Sequence, residues 1–311
     1  MSHTFSQVAL QWCKAKCPIV KHSTYCAYTL AVHTHLVPHF GTSTCISEAD
    51  VQQFIMHKLA QGLARKTVKD LVAVLRAIVK YGSRHSLFSP ENWVLEYPTS
   101  HSTYRLPTLV LTHQRQLMRH LVAQPTAQNI GILLALCTGM RIGEVCALQW
   151  ADVDLRLRLL RVQRTIGRVY NCELRCTEKI VSSPKTCHSS RDIPIAPALL
   201  RALRIVRMAS AKTATFVVGA GTQAKEPRTY RDYFARLLKR LGLPSIVFHG
   251  LRHTFATRCI ESQCDIKTIS AILGHANVST TLNLYVHPDI DQKKRCVARM
   301  SKYIGMLEEV Y

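Results

Sequence analysis

The sequence is short of negative charge. Aspartate and glutamate number 19 against 41 lysine and arginine, a formal net charge of +22. So large a deficit makes a polyanion the first partner to consider: DNA, RNA or an acidic membrane face. Long apolar runs are absent too. No stretch approaches the roughly 18–20 residues a membrane span needs, and no basic-then-apolar signal segment opens the chain. A cytoplasmic protein with no membrane partner is expected. Close clusters of carboxylates are missing, which speaks against a two-metal nuclease. The 12 cysteines lack the paired two-residue spacing of common zinc sites. Cys13 with Cys17, and Cys172, Cys176 and Cys187 with His188, therefore read as reduced, partly buried thiols and an incidental histidine. Internal repeats and low-complexity runs are also absent.

What is present suits folded domains. Hydrophobic residues make up 47% of 311 positions, enough for more than one core. Residues 1–100 carry a net charge of +5 and residues 101–311 carry +17, so the field is concentrated in the C-terminal two-thirds.

Apolar periodicity predicts helices over Phe5–Cys17 and His22–Phe40. A third, capped by Ser47, runs to about Leu59, and a fourth covers Thr67–Tyr81. The polar segment 89–106, with Pro90 and Pro98, reads as connecting chain. The expected organisation is a helical domain over 1–97, a linker over 98–107 and a second domain over 108–311. In that second domain helices are expected over 112–123 and 126–137. Three strands follow over 157–165, 169–177 and 191–195. Helices return over 197–208, 228–241, 250–262, 266–273, 279–286 and 290–307. The expected fold class is mainly α with a small antiparallel β-sheet: a helical domain plus an α+β domain.

Four segments carry candidate chemistry. Thr138-Gly139-Met140-Arg141-Ile142-Gly143-Glu144 places Arg141 and Glu144 three residues apart on a short helix. Pro184-Lys185-Thr186 lies on a turn between strands, followed by Ser190-Arg191. In His249-Gly250-Leu251-Arg252-His253-Thr254 the first histidine and the arginine are one helical turn apart. The last segment runs from Leu273-Gly274-His275 to Leu284-Tyr285. Each residue alone has an ordinary reading: surface ion pair, solvated loop charge, helix cap, core histidine, packed tyrosine. Together they form a kit for phosphoryl transfer. Arginine forks bind non-bridging phosphate oxygens bidentately and stay charged at any working pH. A lysine can protonate a leaving oxygen, a histidine can take a phenol proton, and a tyrosine can hold the phosphoryl group covalently.

These segments resemble the boxes of the tyrosine recombinase, or phage integrase, family. TGMRIGEVCALQW over Thr138–Trp150 is similar to the first-arginine box. HGLRHTFAT over His249–Thr257 is similar to the histidine–arginine box, and LGHANVSTTLNLY over Leu273–Tyr285 to the nucleophile box. Pro184–Thr186 with Ser190-Arg191 resembles the lysine hairpin. The resemblance implies a core-binding domain, a linker and a catalytic domain. It implies that Tyr285 attacks the scissile phosphate to form a 3′-phosphotyrosyl link, while Arg141 and Arg252 hold the non-bridging oxygens. Lys185 would protonate the 5′ oxygen, His249 would assist the tyrosine, His275 would donate to the phosphate, and Glu144 would support Arg141 or a histidine. Neither cofactor nor metal is implied. The partners implied are double-stranded DNA and a homo-tetramer on paired sites, with room for DNA-bending accessory proteins. The ten-residue step from His275 to Tyr285 resembles that of mobile-element integrases, and the core-binding helices begin near Met1, so an arm-binding domain is not expected. The C-terminal helix would either dock on a neighbouring subunit or pack on its own domain. A non-catalytic DNA-binding protein on the same fold and a topoisomerase using the same tyrosine chemistry remain as alternatives.

Overall fold

The computed structural model describes residues 3–89, 92–98, 107–172, 174–182, 190–219, 221–275, 277–285 and 290–304. The fold is mainly helical with small antiparallel sheets. The chain forms two compact units. One comprises Met1–Tyr104 together with Arg168–Ile180, the other Arg105–Gly167 together with Val181–Tyr311.

In the first unit, α1 (Phe5–Lys16), α2 (His22–Ala31), α3 (Val37–Phe40), α4 (Glu48–Ala60) and α5 (Arg65–Arg84) enclose one apolar core. Phe5, Trp12, Leu36, Phe54, Leu75 and Ile78 are its fully buried centre. The helix expected over His22–Phe40 is interrupted. Val32–Leu36 winds as a π-turn, with the Val37 amide donating to the Val32 carbonyl five residues back. Pro38 explains the interruption: it has no N–H to donate and its ring crowds the preceding turn, so the helix widens before it. Ser47 caps α4 as expected. The Asp50 amide donates to its Oγ at 3.3 Å, and the Ser47 amide donates to the Asp50 carboxylate at 2.8 Å.

Part of the polar connecting stretch is bound to this unit. Trp93 is buried, with its indole N–H donating to the Ile46 carbonyl and its own carbonyl accepting from Arg76. Gln52 pairs with both backbone groups of Glu96 at 3.1 Å. One tryptophan supplies the apolar anchor that composition alone did not weigh.

The second unit is built around α7 (Asn129–Thr138), whose residues are nearly all buried. Around it lie α6 (Leu111–Ala123), α8 (Ile142–Ala147), α9 (Pro197–Ala209), α10 (Pro227–Arg240) and α11 (His249–Glu261). Then come α12 (Ile266–Leu273), α13 (Val278–Tyr285) and α14 (Ile290–Tyr303). The buried amide of Asn129 is satisfied at both ends, donating to the Gln124 carbonyl at 2.8 Å and accepting from the Tyr233 hydroxyl at 2.5 Å.

A three-stranded antiparallel sheet has the order β1 (Val153–Asp154), β2 (Leu159–Val162), β5 (Arg191–Pro194). β2 and β5 pair in the register Leu160 with Ile193 and Val162 with Arg191. The two-residue β1 is too short to leave a periodic signal. The stretch expected as a strand over 169–177, within an extended hairpin from Gly167 to Ser183, is a hairpin of β3 (Thr165–Asn171) and β4 (Cys176–Ser182). The chain reverses where Arg175 takes φ +48°. Its outer portion belongs to the first unit, where Glu178 accepts from Asn171 at 3.1 Å and lies 3.4 Å from the His22 ring. Among the described residues no helix is long and apolar enough to cross a membrane.

Candidate active site

The site assembles at the ends of four helices in the second unit. α7 stops at Gly139, which takes φ +66°. A side chain there would be strained, and a Cβ would meet Leu273 and Phe255 at 2.6 and 2.7 Å. The reversal brings Arg141 to the start of α8. Arg141 stands just outside that helix as its N-cap residue, so its pairing with Glu144 is a cap and not a contact along one helical face. The Glu144 carboxylate accepts from the Arg141 amide and from Arg141 Nη1, each at 2.9 Å.

Glu144 is almost completely buried, and a lone buried carboxylate would be costly. Arg191 of β5 compensates it: Nη1 donates to Oε1 at 3.2 Å and Nη2 to Oε2 at 2.9 Å. Burial works to raise the Glu144 pKa. The Arg191 hydrogen bonds and charge, with the Arg141 charge, overcome that and hold it below the ordinary value.

The C-terminus of α12 gathers the cations. The last carbonyls of a helix have no partner within it and form the negative end of its dipole. Here three in succession face arginines. Ile272 O accepts from Arg191 Nε at 2.5 Å and Leu273 O from Arg252 Nη2 at 2.8 Å, while Arg141 Nη2 reaches Gly274 O at a longer 3.5 Å. Arg252 also donates from Nη1 to Gly139 O at 2.8 Å and is 2% exposed. Gly274 ends α12 at φ +66°, and the next residue is His275.

Three histidines surround this group. His249 begins α11 and is exposed. Its partial desolvation, and the charges of Arg252 and Arg141, lower its pKa. His253, one turn on, is buried and edge-on to it at 4.8 Å, and is lowered to about 4 by burial, His249 and Arg252. His275 is lowered to about 4 by burial and by Arg252, Arg141, Arg191 and His249. Its Nδ1 lies 2.8 Å from the hydroxyl of Thr281, a fully buried residue of α13. Burial and the cations beside them thus both favour the neutral form of all three rings.

The structure thus brings together Arg141, Glu144, His249, Arg252 and His275. Tyr285 is the last residue of α13, and its side chain lies outside the described residues. Lys185 also lies outside them, as do Cys187 and His188. Among the described residues no group of three or more His, Cys, Asp or Glu could hold a metal ion.

Arg191 and Thr281 are parts of the site to which sequence reading gave no role. The signal for Arg191 was in its strand. Ile193 is buried, and alternation puts residue 191 on the same face, where a buried arginine requires a buried acid.

Residues 110–292 match the phage integrase family. The chain belongs to that family. It is a tyrosine recombinase, an enzyme of site-specific recombination. The XerC-like tyrosine recombinase of Caldanaerobacter subterraneus subsp. tengcongensis is 27% identical over 284 residues, covering 82% of this integrase and 71% of that protein. The transposase from transposon Tn916 of Enterococcus faecalis is 26% identical over 279 residues, covering 83% and 67%. In fold, the integrase is similar to the Tn1549 transposon integrase solved in complex with a circular intermediate DNA. That comparison gives a TM-score of 0.77 at 22% identity, covering 96% of this chain and 100% of that one. It is also similar to a lambda integrase tetramer bound to a Holliday junction, with a TM-score of 0.64 at 16% identity, covering 92% and 78%.

Proposed function

We propose that the chain breaks and rejoins duplex DNA at specific sites, for integration and excision of a mobile element, through a 3′-phosphotyrosyl link made by Tyr285. The observation that carries this reading is the convergence of Arg141, Arg252, His249 and His275: Arg252 donates to Leu273 O and Arg141 reaches Gly274 O, the two residues before His275, while His249 stands one turn from Arg252 on α11.

The roles follow from charge and position. Arg141 and Arg252 bind the non-bridging oxygens of the scissile phosphate, where negative charge grows as the tyrosine attacks. Their forks are held before substrate arrives by the carbonyls of Gly139, Leu273 and Gly274, so less ordering is left for the reaction step. His249, whose pKa is lowered by partial burial and by those same arginines, accepts the phenol proton of Tyr285. His275 donates to the phosphate, its ring oriented by Thr281. Lys185 protonates the departing 5′ oxygen. The tyrosyl phosphodiester conserves the bond energy, so rejoining needs neither ATP nor a metal. Glu144 positions Arg141, and through Arg191 ties it to the end of α12.

In this reading the core-binding domain is 1–97, the linker 98–107 and the catalytic domain 108–311. Both domains contact the duplex mainly through phosphates, which the +22 charge favours. Four copies act on two paired sites in the cytoplasm, with DNA-bending proteins assisting.

The test is a plasmid carrying two copies of the DNA that flanks the gene, incubated with the protein in chelator and without ATP. Recombinant circles are expected, and only from plasmids with both copies. Relaxation that ignores the sites would identify a topoisomerase instead.

A further inference from the structure

Outside the cluster, one pair of reactive side chains stands at the joint between the helix that carries His249 and Arg252 and the segment that carries His275. α11 closes with a two-bond cap. The Cys264 amide donates to the Cys259 carbonyl and the Gln263 amide to the Ile260 carbonyl, each at 2.9 Å, with Gln263 in the left-handed region at φ +62°. This is the Schellman arrangement, in which the third residue from the helix end and the second residue beyond it become side-chain neighbours. Those places usually hold an apolar pair. Here both are cysteines, so the cap sets two thiols at neighbouring positions. Cys259 is half-buried and Cys264 exposed. Asp265, the next residue, caps α12 by accepting from the Thr268 amide at 2.7 Å. The turn is therefore pinned on both sides.

We propose that Cys259 and Cys264 form a reversible disulfide that clamps the α11–α12 turn. A low-molecular-weight disulfide of the glutathione class is the oxidant. The exposed Cys264 thiolate attacks one of its sulfurs, giving a mixed disulfide and releasing one thiol. The Cys259 thiolate then attacks the Cys264 sulfur and releases the second thiol. Two protein S–H bonds are lost, one protein S–S bond forms, and the oxidant is reduced to two thiols. Burial and the neighbouring thiol push Cys259 up to about 11, which disfavours its thiolate. The cap already holds the two backbones together, which favours closure. The consequence is mechanical. The oxidised turn opens less often, and the step from Arg252 to the α12 carbonyl that holds it is stiffened.

The test uses the full-length chain. Both cysteines fall in one tryptic peptide, Cys259–Lys267, after cleavage at Arg258 and Lys267. The reduced protein is equilibrated in glutathione buffers of rising oxidised fraction, alkylated, digested and weighed. The expected result is loss of two hydrogens from that peptide, at a lower oxidised fraction than that at which Cys17 or Cys45 acquires glutathione. Hydrogen exchange at residues 259–266 should slow several-fold in the oxidised form and return with dithiothreitol. Cys259→Ser should trap glutathione on Cys264, and Cys264→Ser should show neither change. Glutathione held on Cys264 beside a free Cys259 thiol in the unmutated chain would overturn the proposal. So would a disulfide that leaves exchange at the turn unaltered. Neither outcome depends on whether the cluster cuts DNA.

Discussion

Arg191 and Glu144 meet as a doubly hydrogen-bonded pair, with side chains 6% and 4% exposed. One comes from a strand and the other from the short helix that follows Arg141. Removing one partner strands the other as an uncompensated buried charge. Arg191→Met should therefore cost about 3–5 kcal/mol of stability, and Glu144→Gln a smaller amount in the same direction. Chemical denaturation of each variant measures this. The double variant Arg191→Met with Glu144→Leu should recover much of the loss.

Arg252→Lys tests anchoring as distinct from charge. Lysine keeps the cation but cannot donate to Gly139 O and Leu273 O at once from a planar fork. Cleavage of a nicked duplex should fall by about two orders of magnitude or more. Affinity for the uncleaved duplex, read by gel shift, should change only a few-fold.

The neutral histidines predict an acid-sensitive fold. His253 is buried and falls from 6.5 to about 4, so between those values the unfolded chain binds the extra proton and the folded chain does not. Stability is fully present above the unfolded value and is lost as pH falls from 6.5 towards 4. The loss from this group is on the order of 3 kcal/mol. Glu144, with its lowered pKa, adds a loss in the same direction at still lower pH. Melting temperature followed from pH 7.5 to 4.5 should fall, and His253→Gln should flatten the curve.

Gly139→Ala should weaken the whole site. The substitution needs φ +66° and forces a methyl group against Leu273 and Phe255. A cost of about 1–3 kcal/mol is expected, with cleavage reduced further because Gly139 O anchors Arg252. Urea denaturation and single-turnover cleavage measure the two effects separately.

Much of this was legible from periodicity and short motifs. The long helices α5, α9 and α10 have strong apolar faces and were placed within a few residues. The Arg141, His249, Arg252 and His275 segments stood out because glycines and charged residues recur there at turns. Other features were hidden for physical reasons. The π-turn at Val32–Leu36 follows from one proline whose effect lies upstream of it. The turn at Arg175 uses a non-glycine residue with positive φ, which leaves no composition signal. Arg191 stood in the Ser190-Arg191 segment without a role, because its acid partner lies 47 positions away. The gathering of three arginines at the end of α12 depends on backbone carbonyls, which every residue has and no sequence marks.

The most direct measurement is the chemical identity of the covalent bond to DNA. The protein would be trapped on a nicked duplex from the DNA flanking its gene, in chelator, and the adduct digested with trypsin and nuclease. Residues 268–293 form the tryptic peptide that contains Tyr285. A nucleotide 3′-phosphate attached to Tyr285 in that peptide, and no adduct from Tyr285→Phe, is the predicted result. A nucleotide on another residue, or no adduct on DNA that the protein demonstrably binds, would contradict the account.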